Sequence, residues 1–260
     1  MKTGSLHFSD VNTIWLDTID STNSEALRRL PELPSGTVLA AREQTAGRGQ
    51  RGNTWFTEPG KNLTFSIVLK YGEGGLPALL AAESVWLNYL VSVAVVDFLQ
   101  SHAIWSKVKW PNDVYVGTNK ICGILIENSL SGSQLAASVI GVGLNINQRV
   151  FPQLANATSL VRLVGKEYTL EECLEKVLHH IERWLPYVFD KDRRKTLFSQ
   201  YSGRLFKLDV NSRYHDYLTD REYIGIIKGV ADDGRLIIWD LESPGKPLRY
   251  YNFKEVGYII

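Results

Sequence analysis

Between Thr37 and Leu144 the chain passes through six short stretches rich in β-branched and aromatic residues: 37–41, 62–70, 108–110, 113–116, 121–127 and 137–144. What most limits the fold is how little chain joins some of them. Gly117-Thr118-Asn119 is a tight link between two of these runs, whereas a parallel crossover needs roughly a dozen residues or more, usually a helix. The stretches therefore predict one sheet, largely antiparallel or mixed, with helices packed on it, an α+β arrangement. A doubly wound nucleotide fold is disfavoured.

Thr22 with Glu25, and Thr169 with Glu172, have the spacing of a capping box, in which each side chain satisfies an unpaired backbone N–H of the first turn. The first predicts a helix to about Leu30. The second opens a longer helix with Leu170, Cys173, Leu174, Val177, Leu178, Ile181 and Trp184 on one stripe, a core-facing pattern. His179 and His180 lie beside that stripe and need no function. The apolar run 76–99 starts at Pro77, a good first-turn residue, and is interrupted by Glu83, Asn88 and Asp97. It predicts a buried core helix and no membrane span.

After about Tyr201 the texture changes to short strands over 204–210, 223–230, 235–240 and 247–252, with Asp232-Asp233-Gly234 as a tight turn. The expected division is a main domain over residues 1–203 and a small all-β domain over 204–260 that leans on it.

Lys plus Arg is 29 against 28 for Asp plus Glu, so a net charge of +1 gives no bulk attraction for nucleic acid or an anionic membrane. Any basic site must be local. Cys122 and Cys173 sit in apolar runs without CxxC spacing, which predicts buried thiols in a reducing, cytoplasmic setting. Met1–Asp10 lacks a secretory pattern. The five histidines are scattered without metal-ligand spacing, and no GxSxG elbow supports a hydrolase.

Three segments carry candidate chemistry. Gln44-Thr45-Ala46-Gly47-Arg48-Gly49-Gln50-Arg51-Gly52-Asn53-Thr54-Trp55 combines glycines, which permit close ligand approach, with arginines, whose fork suits a carboxylate or phosphate. A solvated loop has the same composition, and spacing alone does not separate the two; the P-loop pattern is absent. Lys109-Trp110-Pro111-Asn112-Asp113 precedes the turn that sends Lys120 back toward Asn112 and Asp113. Two lysines and a carboxylate can converge there, although Asp113 also reads as a turn cap and Lys120 as a strand-start charge. In 139–147, Gly141 and Gly143 alternate along one strand face, leaving room for a flat ligand or for close packing.

Together these blocks resemble the biotin protein ligases. The resemblance rests on Ser21-Thr22-Asn23, the Gly-Arg-Gly loop ending at Trp55, Lys109-Trp110-Pro111-Asn112-Asp113, Lys120-x-x-Gly123-Ile-Leu-x-Glu127 and Gly141-x-Gly143-x-Asn145, in that order. It implies a catalytic domain similar to class II aminoacyl-tRNA synthetases and a C-terminal SH3-like β-barrel. It also implies a two-step reaction, that of a biotin–[acetyl-CoA-carboxylase] ligase. Biotin and ATP with Mg2+ give biotinyl-5'-AMP and pyrophosphate, and biotin then passes to one lysine of a biotin carboxyl carrier domain.

By position, the resemblance makes Ser21, Thr22, Asn23 and Gln44 polar contacts to biotin, with Arg48, Gly49 and Gln50 in a loop that folds over the ligand. Arg48, Arg51, Lys109 and Lys120 stabilise phosphate charge, and Lys120 bridges carboxylate and phosphate. Gly123 lets the biotin ring approach the strand; Trp55 stacks near adenine and Asn145 hydrogen-bonds it. Lys109, Asn112 and Asp113 fall on the ATP and Mg2+ side, Asp113 also being the candidate to accept the acceptor lysine's proton, and no dedicated protein metal site is expected. One position departs from the usual Gly-Arg-Gly-Arg: Gln50 replaces an arginine, which predicts an adenylate held less tightly. About 20 residues precede Ser21, too few for the helix-turn-helix that some members carry, so no DNA partner is expected. Related ligases are monomers or dimers, and a homodimer stays open. The rivals are a lipoate or octanoate ligase of the same fold class and a non-catalytic biotin- or nucleotide-binding module.

Overall fold

The computed structural model describes residues 6–8, 13–152, 154 and 156–259, with the backbone alone for Arg51. In chain order the elements are β1 (Thr13–Ile19), α1 (Thr22–Arg28), β2 (Val38–Gln44), β3 (Leu63–Lys70), α2 (Val85–Ser101), β4 (Lys107–Lys109), β5 (Asp113–Val116), β6 (Asn119–Ser131) and β7 (Gln134–Leu144). Helices α3 (Leu160–Val164), α4 (Leu170–Phe189) and α5 (Lys191–Ser202) follow, then β8 (Asn211–Asp216), β9 (Arg221–Val230), β10 (Leu236–Asp240), β11 (Leu248–Tyr251) and β12 (Val256–Ile259).

The first seven strands form one sheet in the order β1-β2-β3-β7-β6-β5-β4. Every pairing in it is antiparallel except β1 with β2, which are joined through α1. The mixed α+β sheet expected from the short links is thus present. Its core is filled by α2, whose Leu87, Leu90, Val91, Ala94, Val95 and Phe98 are all buried. The stretch Ala81–Ser101 is long and apolar enough to cross a membrane, but burial around its circumference gives it the character of a core helix. On α4 the expected stripe from Leu170 to Trp184 is buried throughout, and the Thr169 side chain accepts from the Glu172 N–H at the helix start.

The last five strands form an antiparallel sheet, β11-β10-β9-β8-β12, consistent with an SH3-like unit. One buried cluster extends from the first sheet into this one, through residues such as Val108, Tyr201, Leu205, Tyr214 and Ile227.

Three local expectations are corrected. The capping box at Thr22 does not form: Ser21 is the N-cap, and Thr22 lies inside the helix with its N–H and hydroxyl both donating to Gln44 Oε1, at 2.8 and 3.1 Å. A tertiary partner, the half-buried Gln44, outcompetes the local cap, and Glu25 pairs instead with Arg28. Pro77 does not open α2, because Leu76 and Leu79 bond along the sheet, with Leu76 N–H donating to Lys70 O and Leu135 N–H to Leu79 O. Finally, 204–210 is no strand. Lys207 and Asp209 have φ of +61° and +56°, which breaks the pleat. The segment caps the edge strand β4 through Val108 N–H to Arg204 O and Phe206 N–H to Val108 O, both 2.8 Å.

Candidate active site

A cavity of about 460 Å³ opens over the face of the first sheet and is closed on one side by the second. One end is polar, its charges confined to an Arg48–Glu127 pair. The start of α1 sets Ser21, Thr22 and Asn23 against β3, where the Ser66 hydroxyl lies 2.7 Å from Thr22 Oγ1 and 2.6 Å from Asn23 Oδ1. The Asn23 amide donates to Leu125 O and to Glu127 Oε2, at 3.2 and 2.9 Å. Glu127 also holds Arg48 at 2.7 Å, so a single carboxylate on β6 ties the α1 end to the glycine-rich loop. That loop is closed by Gly49 N–H to Asn53 O and Trp55 N–H to Gly47 O, at 2.7 and 2.9 Å. Gln50 Oε1 is buried there with no hydrogen-bond partner.

The other end is cationic. The β5–β6 turn brings Lys120 Nζ to 2.7 Å from Asp113 Oδ1, so the convergence expected from the turn is present. Asn112, buried after the cis Trp110–Pro111 bond, donates to Ile124 O and fixes the corner to β6. Lys109 lies over the rings of Tyr115 and Tyr258, at 4.9 and 5.1 Å. Burial holds its ammonium below the ordinary lysine range, and burial likewise pushes the Tyr115 phenol up to about 12. Asp113 is the one carboxylate in the lining among the described residues.

Glycines shape the floor. A β-carbon at Gly143 would overlap the Trp55 indole, and one at Gly141 would overlap the Asn23 amide. At Gly123 it would stand 3.1 Å from the Trp55 ring and 3.3 Å from Lys120 Nζ. The side-chain-free face inferred from the Gly-x-Gly spacing is therefore covered by Trp55 itself, whose Nε1 is buried without a partner.

Comparison with known proteins bears on what this arrangement serves. Residues 15–145 match the model of the biotin/lipoate A/B protein ligase family, half of the chain. The chain belongs to that family. Among relatives, the biotin–[acetyl-CoA-carboxylase] ligase of Paracoccus denitrificans is 36% identical over 84% of this chain and 90% of its own length. The bifunctional ligase/repressor BirA of Salmonella typhimurium is 30% identical over 87% of this chain and 69% of that protein. The structure of the Aquifex aeolicus biotin protein ligase in complex with biotin and ATP aligns with a TM-score of 0.74 at 28% identity, covering 95% of this chain and 97% of that one.

Of the residues that the family resemblance singled out, Ser21, Thr22, Asn23, Gln44, Arg48, Gly49, Gln50, Trp55, Lys109, Asn112, Asp113, Lys120 and Gly123 all line the one cavity. Asn145 does not. It is buried in a small adjoining pocket behind Trp55 and Lys120, with its amide donating to Thr158 O at 2.9 Å. The Arg51 side chain lies outside the described residues. Sequence reasoning missed Ser66, which braces Thr22 and Asn23, and the wall that the second sheet supplies through Tyr217, Phe253, Lys254 and Tyr258. Ser66 looks like any strand serine, and the wall residues belong to no motif within the family pattern.

Proposed function

We propose that this chain is a biotin protein ligase that activates biotin with ATP and transfers it to a lysine of a biotin carboxyl carrier domain. The observation that carries the reading is the Lys120–Asp113 pair in the same cavity as the polar group Ser21, Thr22, Asn23 and Gln44. The polar end, Ser21 to Asn23 with Gln44, offers donors and acceptors suited to a neutral ring system with amide-like groups. The cationic end suits a polyphosphate.

In the first step a biotin carboxylate oxygen bonds to the α-phosphorus of ATP and the bond to the β-phosphate oxygen breaks, releasing pyrophosphate. Two anions must meet, so the role assigned to Lys120, with Arg48 and Lys109 alongside, is to stabilise charge at the reacting phosphate in a site screened from water. In the second step the carrier amine bonds to the acyl carbon, the acyl–oxygen bond breaks and AMP leaves. The amine, with an ordinary pKa near 10.4, must shed a proton, and the role assigned to Asp113 is to orient or accept it. Mg2+ fits this donor set as a companion of ATP. Among the described residues no group of three or more His, Cys, Asp or Glu forms a metal cage, and Asp113 alone would join phosphates and water around the ion. Bound there, Mg2+ would neutralise phosphate charge.

We further assign residues 1–203 to a catalytic unit and 204–260 to an SH3-like unit. A cytoplasmic setting is supported by two buried, unpaired cysteines, Cys173 being pushed up to about 11 by burial. Incubation with biotin, ATP and a purified carrier domain should yield biotinyl-AMP and then a biotinylated lysine, both read by mass spectrometry. Asp113→Ala should slow transfer from preformed biotinyl-AMP; transfer at the unsubstituted rate would remove Asp113 from the second step.

A further inference from the structure

The core helix contains a polar residue that the site motifs do not account for. From Val85 to Leu99 the side chains of α2 are apolar or aromatic apart from Asn88, Ser92 and Asp97. Asp97 serves the packing, accepting from the Trp184 indole at 2.8 Å and pairing with Arg183 and Arg204. Asn88 reaches toward the cavity wall instead: its amide donates to the carbonyl of Pro111 at 2.7 Å. The phenol of Tyr201, in the last turn of α5, donates to the same oxygen at 2.7 Å. Tyr201 is fully buried, its ring 4.2 Å from that of Tyr89, and burial holds its phenol well above the ordinary range, so it stays a donor. Two helices thus send one donor each to a single main-chain oxygen, whose two lone pairs can take both.

Pro111 is the middle residue of the tip between β4 and β5, and the pair that closes this hairpin is Lys109 with Asp113. The tip is held from three sides. The Trp110 indole donates to Gly234 O at 3.0 Å, Asn112 donates to Ile124 O, and the Pro111 carbonyl accepts from Asn88 and Tyr201. A displaced Pro111 carries the adjoining Lys109–Asp113 pair with it, and Asp113 Oδ1 stands 2.7 Å from Lys120 Nζ. The polar end of the cavity is braced elsewhere, on Gln44 of β2, Ser66 of β3 and Leu125 of β6. Loss of the two donors would therefore disturb one end of the cavity and leave the other in place.

We propose that Asn88 and Tyr201 are positioning residues, which act through the Pro111 carbonyl to set Asp113 and Lys109 for the reaction. The assignment rests on the biotin ligase reading above. In the full chain, Asn88→Leu and Tyr201→Phe each remove one donor while keeping a good helix former or the buried ring. Each should lower kcat for biotin-dependent pyrophosphate exchange about threefold, and the two together about tenfold or more, the range of one to two net hydrogen bonds. The KM for biotin should stay at the parent value in both single variants and in the double variant. Transfer from preformed biotinyl-AMP to a purified carrier domain should slow by similar factors. Added to Asp113→Ala, however, the two substitutions should slow transfer no further, because their effect runs through Asp113. Parent kcat in both single variants would overturn the assignment. So would a KM for biotin that rises as kcat falls, or a loss of transfer that persists in full beside Asp113→Ala, since either marks a general loosening of the fold. An unsubstituted chain that shows no exchange would instead overturn the ligase reading itself.

Discussion

Asn23 sits where it does because Gly141 has no side chain. Its carbonyl reaches Ser66, its amide reaches Leu125 O and Glu127, and a β-carbon at Gly141 would overlap it. Gly141→Ala should therefore displace Asn23, weaken biotin binding by about tenfold or more, and cost about 1–3 kcal/mol of stability as an overpacked site. Calorimetric titration with biotin, beside a denaturant melt, checks both. Unaltered biotin affinity would show that Asn23 is not a ligand contact. At this scale much of the site was legible in the sequence: Lys120 and Asp113 converge as their turn implied, and the paired glycines mark a face against which other groups pack closely, here Asn23 and Trp55. What was not legible depends on partners far away in the chain. Thr22 reads as a cap until Gln44 claims its hydroxyl.

Among the elements, strands joined by tight turns and the striped helix α4 were readable because their signals are local: period, punctuation and capping. β1 was not, since Thr13–Ile19 owes its strand state to parallel pairing with β2 across α1, a non-local contact. The run 204–210 was misread as a strand because its apolar residues pack on the edge of β4 while Lys207 and Asp209 turn the backbone. The second sheet carries a buried carboxylate, Asp240, at the end of β10. Burial would push the Asp240 carboxyl up, but Ser243, Arg249 and the N–H groups of Glu242 and Ser243 donate to it and hold it below the usual carboxylate range. A carboxylate with a depressed folded pKa contributes fully above its unfolded value near 4 and loses that contribution as pH falls toward the folded one. Asp240→Asn should lower stability by about 3 kcal/mol at pH 7, as expected for breaking a buried pair, with the gap narrowing below about pH 4. Melting curves of both chains across pH give the answer, and a gap that does not change with pH would contradict the charged role.

Across the whole molecule, two sheets share one buried cluster and one cavity. The first sheet supplies a polar pocket and the Lys120–Asp113 pair, and the second closes the cationic end through Tyr217, Phe253, Lys254 and Tyr258. On the proposed reading, such a cavity would hold an uncharged ring system near Ser21–Asn23 and polyphosphate near Lys109 and Lys120, with the reacting carboxylate and α-phosphate meeting between them. The most direct test is biotin-dependent exchange of labelled pyrophosphate into ATP, with lipoate and octanoate in parallel and Lys120→Ala as the control. Exchange with biotin alone, lost by at least about a hundredfold in Lys120→Ala, is the predicted result, in line with removing a charged group that stabilises a transition state. Exchange driven by lipoate or octanoate, or exchange that survives in Lys120→Ala, would contradict the account.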